Sequence, residues 1–100
     1  MIIVGGSFEV EPSERDAFLA SRVDMMRTSR AEPGCFEYTF SADPIVPGRV
    51  LLFERWASQE DLDAHLAALR AAPKSSAVGV VPTSASITLY DVAGERELGR

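Results

Sequence analysis

Apolar and polar positions along this chain follow two periods in alternation. Ile2-Ile3-Val4-Gly5-Gly6-Ser7-Phe8-Glu9-Val10 has period two, with Ile2, Val4, Phe8 and Val10 on one face and Ile3, Ser7 and Glu9 on the other. That pattern predicts a strand. Glu11-Pro12-Ser13 interrupts it, and Pro is favoured in a first helical turn. Ser13 with Asp16 resembles a capping box, so a helix is expected from there to about Ala31, burying Phe18, Leu19, Val23 and Met26. Pro33-Gly34 ends it.

Period two returns in CFEYTFS, residues 35–41, where Phe36, Tyr38 and Phe40 share one face and Cys35, Glu37 and Thr39 the other. DPIVPGR carries two prolines and a glycine, as a hairpin loop should. From Arg49 to Trp56, Val50, Leu52, Glu54 and Trp56 alternate with Leu51 and Phe53, so both faces are apolar and a central strand is predicted. Ser58 with Asp61 then caps a second helix, whose stripe is Leu62, Leu66 and Leu69 and whose stop is Pro73. Residues 73–84 read as irregular, 86–92 as a fourth strand, and 93–100 as a polar tail behind a single domain of residues 1–92.

The order β-α-β-β-α-β is the ferredoxin-like α+β arrangement, an antiparallel sheet with both helices on one face. Ile3, Leu51 and Phe53 make the other face apolar, and a bare apolar face needs a partner. A homodimer with two sheets packed face to face is the expectation.

Composition narrows the function classes. The net charge of −5 over 100 residues argues against nucleic acid and against anionic membranes, which need a basic footprint. No apolar run approaches the roughly 20 residues of a membrane span, and the N-terminus does not read as a secretory signal. The lone Cys35 fits a reducing, cytoplasmic setting. One Cys and one His form no zinc cluster, and no phosphate-binding glycine motif is present, so the sequence nominates no metal and no built-in cofactor.

EPGCFEYTFSADP followed by PGRVLLFERWASQEDLDAHL closely resembles the antibiotic biosynthesis monooxygenase family of dimeric α+β barrels. The carriers are the Pro-Gly-Cys turn into strand two, an acidic residue two before a Trp at the end of strand three, and a capped helix with a His. The resemblance covers roughly residues 2–92. It implies a cavity between sheet and helices, and a cofactor-free oxidation of an anthrone- or quinol-like aromatic by molecular oxygen. It also leaves open a non-catalytic barrel that binds a small hydrophobic ligand, or an isomerase of a small carbonyl compound. In the haem-cleaving branch and in polyketide oxygenases of the family, an Asn stands near the reactive centre. This chain has no asparagine, and Gly5, Gly6 and Ser7 occupy the matching strand. Ser7 is the candidate replacement for that hydrogen bond.

Cofactor-free oxidation needs a base, because a phenol or enol must lose a proton before its anion can give an electron to oxygen. His65, the single histidine, is the candidate. It falls about 60° off the Leu stripe, so a half-buried structural His stands beside the catalytic reading. Trp56 reads as a stacking wall or as the core residue sealing sheet to helix. Glu54, on Trp56's face, is expected to find an Arg or to titrate unusually, the ion pair being the favoured account. Tyr38 and Phe36 are candidate substrate contacts, though three aromatics at period two also describe a core. Cys35 reads as packing.

Overall fold

The computed structural model describes residues 1–72 and 80–99. Strand β1 (Ile2–Glu9) leads through a 3-10 turn (Pro12–Glu14) into helices α1 (Arg15–Ser21) and α2 (Val23–Arg30). Strands β2 (Cys35–Ala42) and β3 (Arg49–Trp56) follow, then helix α3 (Gln59–Ala71) and strand β4 (Ser84–Asp91). The four strands are antiparallel neighbours in the order β2-β3-β1-β4. This is the expected ferredoxin-like α+β arrangement. The central pair β1 and β3 aligns Ile2 with Trp56, Val4 with Glu54 and Phe8 with Val50, and these side chains form the floor beneath the helices. Phe18 is wholly buried against that floor, in contact with the rings of Phe8 and Phe40.

Several local expectations are corrected. The first helix is not continuous: the Arg22 N–H bonds to Leu19 O at 3.0 Å, a three-residue span that breaks the four-residue ladder. α2 therefore turns Met25, Met26 and Ser29 inward and leaves Val23 exposed. Ser13 makes no capping bond; Glu14 is the cap of α1, and its side chain bonds to no helix N–H. At α3 the box holds: the Asp61 N–H donates to Ser58 Oγ at 3.2 Å, and Ser58 Oγ donates to the Asp61 carboxylate at 3.0 Å. α3 ends at Ala71, and Ala72 is extended (ψ 140°), the conformation a following proline requires. Residues 73–79 of the expected irregular segment lie outside the described residues, 80–83 are neither helix nor strand, and β4 starts two residues earlier than expected.

β2 contains the largest departure. The pairing register to β3 shifts between Cys35 and Glu37, leaving Phe36 in a bulge. Phe36 thus leaves the face of Tyr38 and Phe40, is 54% exposed, and lies 5.2 Å under the Arg55 guanidinium. On the face turned from the helices, Ile3, Leu51, Phe53 and Tyr90 make an apolar surface, with Leu51 and Phe53 each 39% exposed.

Candidate functional site

Where α3 crosses the end of β3, one face of the helix meets the sheet through Leu62 and His65 rather than through the expected leucine stripe. Leu66 and Leu69 are partly exposed, whereas His65 is 1% exposed. His65 is therefore not at the edge of the buried face but at its centre. Its ring lies 4.7 Å from that of Trp56 and 5.2 Å from that of Tyr38, and these three buried rings pack without a gap for a ligand between them.

Two carboxylates flank the rings. His65 Nδ1 is 2.9 Å from Glu32 Oε1. A carboxylate oxygen accepts here, so Nδ1 is the nitrogen that carries the hydrogen and donates it. Glu32 lies between the end of α2 and the Pro33-Gly34 turn. That turn is held by Gly34 at φ 76°, and its carbonyl accepts the Ala57 N–H at 2.8 Å, tying Glu32's segment to the end of β3. The pair joins two segments that lie 33 residues apart.

Glu54 is 6% exposed, as its place on Trp56's face implied, but among the described residues no arginine pairs with it. Instead the Trp56 indole N–H donates to Glu54 Oε1 at 2.9 Å. Burial pushes the Glu54 carboxyl above its usual range, while the indole bond and His65 pull the other way. Arg55 points to the opposite face, as expected, and pairs with Glu37 at 3.2 Å. The Tyr38 hydroxyl donates to Met25 Sδ at 3.4 Å, and burial, then the Glu54 charge, raise it beyond the usual phenol range, so it is a neutral donor. Cys35 is likewise raised by burial, consistent with packing.

The space accessible to a ligand is next to this cluster rather than inside it. An open cleft of about 660 Å³ runs between α2 and α3. Met25, Ala68, Leu69 and Ala72 supply apolar wall, and Glu32 reaches the cleft surface from the His65 pair. Met25 separates the cleft from the Tyr38 hydroxyl. A second recess, lined by Arg55, Glu95, Arg96 and Glu97, is charged throughout and remote from the rings.

Of the residues nominated from sequence, His65, Trp56, Tyr38 and Glu54 come together. Phe36 does not, because of the bulge. Ser7 does not either: it pairs with Leu51 and Ser86 and points with them to the open sheet face. Glu32 was missed. Its signal was faint, an acidic residue beside a Pro-Gly turn within the quoted EPGC stretch, where solvent exposure is the ordinary outcome.

A family model described as antibiotic biosynthesis monooxygenase matches residues 1–71. The chain belongs to this family. Over 64 residues it is 36% identical to the uncharacterised Synechocystis protein sll1783, a match spanning 64% of this chain and 44% of that one, so the chain covers less than half of its curated relative. Among solved structures, a Deinococcus radiodurans protein named for the same monooxygenase family superposes with a TM-score of 0.79 at 21% identity, over the whole of both chains. Rv0793 of Mycobacterium tuberculosis superposes at 0.70 with 26% identity, covering 96% of this chain and 98% of that one. MhuD, a haem degrader of the same organism whose structure holds two haems in its active site, reaches 0.70 at 16% identity, over 97% and 100% of the two chains. These superpositions take in the fourth strand as well as the residues that the family model matches.

Proposed function

We propose that this member of the monooxygenase family oxidises a small aromatic phenol or enol with molecular oxygen, without a resident cofactor, in the cleft between α2 and α3. The observation that carries the reading is the 2.9 Å bond between buried His65 and Glu32, because Glu32 is at once part of the cleft wall and the partner of the only histidine. A carboxylate held in place by an imidazole N–H is a fixed proton acceptor at the cleft wall.

In this mechanism Glu32 accepts the proton of the substrate hydroxyl and becomes neutral, while His65, bonded to it through Nδ1, holds the carboxyl group at the cleft wall. The substrate anion gives one electron to oxygen. The two radicals combine into a carbon–oxygen bond, the resulting peroxide anion takes the proton back from Glu32, and loss of water from the hydroperoxide leaves a ketone. For a methylene substrate the balance is R2CH2 + O2 → R2CO + H2O. Met25 and Leu69 supply apolar surface on which the substrate's ring can lie. Trp56, whose N–H is already committed to Glu54, and Tyr38 support His65 from behind; their role is to hold its ring.

Two further elements belong to this reading. The open sheet face pairs with a second copy, giving the dimeric barrel. Haem is not the proposed substrate despite the likeness to MhuD, since the asparagine that the resemblance associates with haem cleavage has no counterpart in this chain. Oxygen uptake with anthrone tests the activity: one O2 consumed per ketone formed supports it. Ligand-induced thermal stabilisation with no uptake would replace it with a binding protein, and rearrangement of a small carbonyl compound under argon would replace it with an isomerase.

A further inference from the structure

Helix α2 sets two methionines side by side in unlike surroundings. Met26 Sδ is turned to the sheet, where the Phe40 N–H of the edge strand β2 donates to it at 3.4 Å. Met25 Sδ accepts from the Tyr38 hydroxyl at 3.4 Å, and the same side chain forms part of the wall of the open cleft between α2 and α3. Met26 does not line that cleft. Both residues are half-buried, so depth alone does not distinguish them. What lies on their far side does.

A thioether has no proton to lose, so access decides which methionine is oxidised. At Met25 one sulfur lone pair takes the Tyr38 hydrogen bond and a second is left, and a cleft of about 660 Å³ admits a molecule as small as hydrogen peroxide. The sulfur attacks one peroxide oxygen, the O–O bond breaks, and that oxygen stays on sulfur. The other leaves as hydroxide and takes the remaining proton: R–S–CH3 + H2O2 → R–S(=O)–CH3 + H2O. Sulfur gives up two electrons and the peroxide is reduced by them. The product changes two things at this position. Apolar cleft wall becomes polar on the wall it shares with Glu32, and a weak acceptor of the Tyr38 hydrogen becomes a strong one. Tyr38 is buried with its ring 5.2 Å from that of His65, so a change at the sulfur is one side chain away from the aromatic cluster.

We propose that Met25 is a peroxide-responsive modification site: hydrogen peroxide entering by the cleft converts it reversibly to the sulfoxide, and the Tyr38 hydroxyl registers the change. The test uses the full chain labelled with methyl-13C methionine, treated with hydrogen peroxide and followed by NMR. Met25→Leu and Met26→Leu assign the methyl signals, and tandem mass spectrometry places each added oxygen without recourse to the variants. In the folded protein Met25 is expected to oxidise roughly tenfold or more faster than Met26, and in urea the two rates converge. The Tyr38 ring signals shift as the Met25 sulfoxide forms, and a methionine sulfoxide reductase returns both residues to their starting signals. Equal rates in the folded protein, faster oxidation of Met26, Tyr38 signals that do not follow Met25, or a sulfoxide that the reductase leaves in place would overturn the proposal. Oxygen uptake enters none of these measurements, so their outcome is independent of the oxygenase reading.

Discussion

Burial without a counter-charge sets Glu54 apart from Glu9, Asp43 and Glu37, which have arginine partners, and the difference is measurable. Its carboxyl titrates near 4.5 in the unfolded chain and higher in the folded one, so the folded state holds the proton longer. Stability from this group is complete below 4.5 and falls as pH rises through the folded value. Glu54→Gln keeps an acceptor for the Trp56 N–H and removes the charge. The variant should be more stable than wild type at pH 7 in urea denaturation, the two converging below pH 4.5; a constant gap across that range would contradict the account. That Glu54 is buried was legible from its place beside Trp56 on one face of an apolar strand. Its partner was not, although residues two apart on a strand do share a face. Glu32 and His65 were less legible still, since their contact closes across two elements and leaves no local period to read.

β1, β2, β3 and α3 were visible through their periods, and the boundaries of β3 and the cap of α3 came out as read. What escaped were the interruptions: the Arg22 break and the Phe36 bulge involve neither Pro nor Gly, and both follow from how helix and strand are seated on the sheet. Gly34 is the informative exception. Its left-handed φ of 76° marks the turn that carries Glu32, and an added Cβ would collide with the Asp61 carboxylate of the α3 cap. Gly34→Ala should therefore cost about 2 kcal/mol, from the left-handed conformation plus a disturbed cap. Urea denaturation measures it, and a loss within about 0.5 kcal/mol would mean that the turn relaxes freely.

At the scale of the whole molecule, the sequence showed the fold and its apolar outer face but not how tightly the aromatic cluster is packed. Rings read as pocket walls instead fill the interior, because His65 sits at the centre of the α3 face and closes on Trp56 and Tyr38. The open face bearing Leu51 and Phe53 predicts a dimer of twice 10.8 kDa by light scattering, and the double substitution Leu51→Asp/Phe53→Asp should yield monomers. A monomeric wild type at micromolar concentration would contradict the barrel. The central claim is that Glu32, held by His65, takes the substrate proton at the cleft. It is tested most directly by the rate of oxygen uptake with anthrone for wild type and Glu32→Gln side by side, since Gln retains a hydrogen bond to His65 but cannot act as a base. The account predicts that wild type consumes oxygen and that the variant loses about 100-fold or more of that rate; equal rates would contradict it.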